Sequence, residues 1–116
     1  MGAFETSELG RAIDRKVLLL DGAMGSRLQT EDLEIDRDYL GRENCVDLLV
    51  RTRPELVQAI HEGFLAAGSD GVETNTFGAN QLVLGEFGDE LVALTRALNH
   101  EAAEIARAAC DQHATP

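Results

Sequence analysis

Two short segments combine polar side chains with glycine in a way that can hold a small polar ligand. They are Asp21-Gly22-Ala23-Met24-Gly25 and Thr74-Asn75-Thr76-Phe77-Gly78-Ala79-Asn80. A carboxylate such as Asp21 can hold an ammonium group through a charge-assisted hydrogen bond. The glycines let backbone and ligand come close. A purely structural explanation competes on even terms: Asp21 caps a turn and the glycines only shape it, as in many Asp-Gly turns. Glu73 reads better as a structural hydrogen-bonding residue than as a catalytic one.

Other chemistries find little support. His61, His100 and His113 have no metal-like spacing, and His61 and His100 read as solvated residues on the polar faces of helices. Cys45 and Cys110 stand far apart with no CxxC pattern, so they suggest neither a disulfide framework nor a zinc pair. Cys45 lacks the basic neighbours that activate a thiol, and Cys110 reads as a packing residue. Neither a Walker A motif nor GxGxxG is present. The 116 residues carry 10 Lys and Arg against 21 Asp and Glu, a net charge of −11. Such a surface repels phosphate backbones and anionic lipid, which argues against nucleic-acid and membrane partners. Apolar runs are too short for a bilayer span. The start lacks the plan of a secretion signal, and Met1 to Thr6 matches a myristoylation pattern only loosely. Unpaired cysteines suit a reducing, cytoplasmic setting.

The elements that must position the two segments can be read from periodicity. Residues 6–15 read as a short helix capped by Thr6 or Ser7, with Leu9, Ala12 and Ile13 as its apolar stripe. Val17-Leu18-Leu19-Leu20 is a continuous apolar run ending at Asp21-Gly22, as in a strand buried on both faces. Residues 29–44 read as a long loop with room for a helical turn. A helix is expected over 54–67, with Pro54 in its first turn, Leu56, Val57, Ile60 and Phe64 inward, and Gly68 as its stop. Residues 72–77 alternate as a second strand, with Glu73, Asn75 and Phe77 on one side. A short helix over 81–84 and a long one over 89–111 follow. The long one carries Leu91, Leu94, Leu98, Ala102, Ile105 and Ala109 on one face. Strands alternating with helices imply an α/β fold with parallel strands. Two parallel strands and about three helices look like the opening of a larger (β/α) array, truncated. In such arrays the site lies beyond the C-terminal ends of the strands, where the two polar segments stand.

Three stretches in order carry a family resemblance: residues 17–25, Asn44-Cys45-Val46-Asp47-Leu48-Leu49-Val50 with Arg53-Pro54-Glu55 and Ile60-His61, and residues 66–77. Together they resemble the homocysteine S-methyltransferases, most closely the cobalamin-dependent branch that makes methionine. The resemblance implies the first βα units of a (β/α)8 TIM barrel. Residues 1–116 would be the N-terminal portion of its homocysteine-binding domain, with 1–15 as a lead-in helix. It implies an enzyme that methylates homocysteine sulfur. Asp21 matches the aspartate that meets the homocysteine amino group, and Gly22 the glycine beside it. Thr74, Asn75, Thr76 and Phe77 match the loop bordering the pocket. Ala23 departs from a glycine common in the family, and Gly78 stands where betaine-dependent relatives carry tyrosine. In the family, zinc held by three cysteines binds the thiolate, and methylcobalamin is the methyl donor in this branch. Those zinc cysteines match neither Cys45 nor Cys110, so no catalytic residue and no metal ligand is expected here, and the piece alone is expected to be inactive. The alternative is a non-catalytic truncated barrel that self-associates through exposed strands or is completed by a partner chain.

Overall fold

The structure is a computed structural model, and it describes residues 7–28, 30–42 and 45–113. Eight α-helices and one 3-10 turn make up the regular structure among these residues. Helix α1 (Glu8–Arg15) is capped by Ser7, whose hydroxyl accepts from the Gly10 N–H at 3.0 Å. Thr6, the other expected cap, lies outside the described residues. Short helices α2 (Met24–Leu28) and α3 (Ile35–Asp38) follow, the latter a single turn inside the segment read as a loop. A 3-10 turn (Val46–Leu48) runs into α4 (Leu49–Thr52).

Helix α5 (Pro54–Ala67) has the bounds its sequence signals demand. Proline at the first position needs no N–H partner. Gly68 closes the helix at φ +117°, a left-handed conformation that a Cβ would strain. Next come α6 (Gln81–Gly85), capped by the Asn80 side chain on the Val83 N–H, α7 (Asp89–Val92) and α8 (Thr95–Gln112). The long final helix expected from periodicity is thus interrupted at Ala93–Leu94. The Thr95 hydroxyl donates to the Val92 carbonyl at 2.7 Å, which satisfies a group that a continuous helix would bond through its backbone.

The core forms where α5 packs on α8 and on α4. Val57 and Ile60 of α5, Leu98, Ala102 and Ala109 of α8, and Leu48 and Leu49 ahead of α5 are almost fully buried. Each large aliphatic side chain hidden this way contributes about 1.5–3 kcal/mol.

The α/β expectation is overturned: no strand forms among the described residues. Residues 17–20 and 71–75 do lie side by side, but one parallel bridge, Leu20 to Gly71, is all that joins them. Carboxylates occupy the places that ladder carbonyls would take. Asp70 Oδ2 accepts from the Leu19 N–H at 2.9 Å, and Asp21 Oδ1 accepts from the Glu73 N–H at 3.0 Å. The Leu19 carbonyl accepts from the Asp70 and Gly71 N–H groups. A pair of extended segments with no further neighbour gains too few backbone bonds to propagate a sheet. The apolar run is also not buried on both faces, since Val17, Leu19 and Leu20 are exposed. Alternation over 72–77 fails as well: Asn75 is buried, whereas Glu73 and Phe77 on the same expected side are exposed. A truncated barrel of two parallel strands is therefore not the architecture, and self-association through barrel strands has no strands to act through.

Candidate functional site

Asp21 stands at the end of the first extended segment, half-buried, with Oδ1 bonded to the Glu73 N–H. No described residue donates to its Oδ2. That single bond ties the Asp21–Gly25 loop to the segment that continues through Thr74–Phe77. The two segments flank one open cleft of about 550 Å³. Asp21, Gly22 and Met24 line one side, Glu73, Thr74, Asn75 and Phe77 the other, with Val46 between them in sequence and also in the lining. Five of the six residues singled out in the sequence thus meet at one cavity. Thr76 is not part of the lining; its hydroxyl bonds that of Thr74 at 2.7 Å.

The 73–80 loop is held from three sides. The Asn75 side-chain amide donates to the Val46 carbonyl at 2.9 Å, which explains why Asn75 is buried. The Gly78 N–H donates to Asp47 Oδ1 at 3.2 Å in the interior. The Asn99 amide of α8 donates to the Ala79 carbonyl at 2.8 Å. Gly78 has no room for a side chain: a Cβ there would lie 2.6 Å from Asp47 Oδ2 and 3.0 Å from Val83 Cγ1. Burial pushes the Asp47 carboxyl above the usual carboxylate range, and the Gly78 N–H pulls part of the way back.

On the other side of the cleft, Gly22 lies against α5. A Cβ at Gly22 would sit 3.1 Å from Phe64 Cε1. His61, one turn earlier on the same helix face, is fully buried. The reading of His61 as a solvated residue is therefore corrected. Burial holds its pKa below the ordinary imidazole value, and the Asp21 charge opposes that shift. His100 is exposed, in contact with Glu104. Cys45 is buried, and burial raises its thiol pKa, so it is a poor nucleophile. Cys110 is half-buried on α8. Glu73, expected deep in the fold, has an exposed side chain and contributes its backbone N–H.

Asp47 and His61 are the two site-adjacent residues that the sequence reading passed over. For His61 the signal was present. Val57, His61 and Phe64 follow one another at spacings of four and three, the period of the buried stripe. For Asp47 nothing in the local pattern distinguishes a buried carboxylate from a capping one.

Among the described residues, no three His, Cys, Asp or Glu side chains gather into a group that could hold a metal ion. No helix among them is long and apolar enough to cross a membrane. The cleft is lined by a half-buried carboxylate with one oxygen to which no described residue donates, by Thr74, and by the apolar side chains of Met24, Val46 and Phe77.

The chain matches the homocysteine S-methyltransferase family over residues 18–116, and it belongs to that family. It is similar to the methionine synthase of Mycobacterium tuberculosis, 38% identical over 110 residues that cover 95% of this chain and 9% of the relative. The methionine synthase of Mycobacterium leprae is similar to the same extent, with 38% identity over 110 residues. The chain thus spans about a tenth of the length of these curated relatives, 9% in each case.

Proposed function

We propose that this chain forms the homocysteine-binding portion of a methyltransferase that methylates homocysteine sulfur to give methionine. The observation that carries the reading is the single cleft between Asp21 and the Thr74–Phe77 segment, bridged by the Glu73 N–H on Asp21 Oδ1. In the reaction the homocysteine sulfur attacks the methyl carbon. The thiol proton is lost to solvent, a sulfur–carbon bond forms, and the bond from methyl to donor breaks with its electron pair left on the donor. The residues of this chain bind and orient. Asp21 Oδ2, to which no described residue donates, accepts from the substrate ammonium through a charge-assisted hydrogen bond. Gly22 lets the substrate backbone approach. The Thr74 and Thr76 hydroxyls share one hydrogen bond and retain a second donor for the substrate carboxylate. Asn75 is committed to Val46 and shapes the wall. Phe77, fully exposed at the rim, borders the thiol end of the substrate.

Zinc, which in the family lowers the thiol pKa, does not fit the residues described here. Cys45 is buried with a raised pKa, and no three-ligand cluster accompanies either cysteine. No step is routed through a metal on this chain, and the chain by itself is proposed to be without turnover. Methylcobalamin as the donor rests on the family resemblance alone. A cytoplasmic setting is part of this proposal, and the two unpaired cysteines are compatible with it.

Calorimetry with L-homocysteine tests the binding role. The chain should give a saturable heat, and Asp21→Asn should weaken affinity about 10- to 100-fold, the value of a hydrogen bond to a charged group. Equal affinity in the two proteins contradicts the role of Asp21.

A further inference from the structure

His61 is fully buried, and neither ring nitrogen has a hydrogen-bond partner. A neutral imidazole carries one N–H donor and one acceptor, and leaving both unmade in the interior forfeits hydration without recompense. Such a group in a native fold calls for a partner that the described residues do not supply in this arrangement. The geometry says which one. His61 shares its helix face with Phe64, and Phe64 sits against Gly22. The loop beginning at Asp21 therefore lies over this face. Of the charged groups on neighbouring elements, Glu62 faces His113 and Arg51 of α4 pairs with Glu101 of α8, while Arg27 of α2 lines a hollow with Phe64. The Asp21 charge opposes the downward shift that burial imposes on the imidazole. Asp21 in turn has an oxygen to which no described residue donates.

We propose that His61 is the positioning residue of Asp21: when an amino acid enters the cleft, the imidazole N–H bonds the free side of the Asp21 carboxylate and fixes it toward the substrate ammonium. This rests on the reading that the cleft takes an amino acid. Asp21 then accepts from Glu73 on one side and His61 on the other, so the ammonium meets a carboxylate that cannot turn away. The second ring nitrogen is left to a buried water, the usual partner of an interior polar atom. No proton moves in this step.

The test is NMR titration of the histidine ring signals, with exposed His100 as the internal control, in the chain and in Asp21→Asn. Removing the carboxylate should move the His61 titration to lower pH and leave His100 in place. Homocysteine should shift the His61 ring signals in the wild-type chain. His61→Gln, which keeps an N–H donor, should hold homocysteine affinity within about threefold, while His61→Leu should lose tenfold or more. A His61 titration that Asp21→Asn leaves unmoved overturns the pairing whether or not homocysteine binds. Equal affinity in His61→Leu and His61→Gln also overturns it. Should homocysteine fail to bind, the substrate reading falls and the ligand-driven bond with it; should it bind with the His61 signals unmoved, the substrate reading stands and the bond falls. If His61→Leu does not fold, the His61 ring shifts on homocysteine addition, in the wild-type chain against Asp21→Asn, still decide.

Discussion

Two aspartates, Asp38 and Asp47, differ in what surrounds them, and their charges respond to pH in different directions. Asp38 is buried but accepts from Arg37 Nε and Nη2 and from the Glu34 N–H, with Arg53 Nη1 at 3.5 Å. The Arg37 guanidinium holds its carboxyl down to about 2, against an ordinary value of 3.8. A depressed carboxyl stabilises the fold above its unfolded pKa and loses that contribution as pH falls through the folded one. Asp38→Asn should therefore unfold at lower denaturant than wild type at pH 7. The gap between the two should narrow as pH falls from about 4 to 2. Urea titrations at several pH values check this, and a gap that stays constant with pH contradicts it. Asp47 has the opposite sign. Its folded pKa is raised, so its charge opposes folding, and the penalty is relieved as pH falls through that value. Asp21 is half-buried, with one oxygen to which no described residue donates.

At the scale of elements, the helices were legible and the sheet was not. Pro54, the Leu56-Val57-Ile60 stripe and Gly68 dictate α5 without tertiary help, and Ser7 and Asn80 announce the starts of α1 and α6. The break between α7 and α8 was hidden because no glycine or proline marks it; the Thr95 hydroxyl makes it. The apolar run 17–20 and the alternation over 72–77 have the composition of strands. Composition does not supply neighbours, however, and with one bridge between them they remain extended segments bonded largely through Asp70 and Asp21. The polar segments that flank the cleft were legible because glycine and carboxylate chemistry is local. Their supports, Asp47 and Asn99, were not, because each reaches the loop from 20 or more positions away in sequence. The Asp47–Gly78 contact gives a prediction at this scale. Gly78→Ala drives a Cβ to 2.6 Å from Asp47 Oδ2 and should cost about 1–3 kcal/mol, the usual penalty of overpacking. Asp47→Asn keeps an acceptor for the Gly78 N–H and sheds the buried charge, so it should be close to neutral. Asp47→Ala leaves that N–H unpaired and should cost about 1–3 kcal/mol. Thermal unfolding of the three variants checks the order. A harmless Gly78→Ala would mean the loop is not packed as described.

For the whole molecule, the core is one-sided. Helices α4, α5 and α8 enclose it, while Leu9, Ile13, Val17, Leu19 and Leu20 remain exposed on the side of α1 and the first extended segment. The radius of gyration is 15.8 Å, against about 13 Å for a compact domain of this length. A net charge of −11 opposes collapse and self-association alike. No group of three metal-ligating side chains stands among the described residues, so the chain alone should hold no stoichiometric zinc and form no methionine. Metal analysis with a methionine-formation assay, supplied with homocysteine and a methyl donor, tests this. Bound zinc at one equivalent together with turnover contradicts it.

The cleft itself is the claim on which all of this depends. Amide NMR of the isotopically labelled chain during a homocysteine titration examines it residue by residue. Signals of Asp21, Gly22 and residues 73–77 should shift together along one binding curve, and Asp21→Asn should flatten that curve. Shifts confined to residues remote from Asp21 and the 73–77 segment, or a curve indifferent to Asp21→Asn, would contradict it.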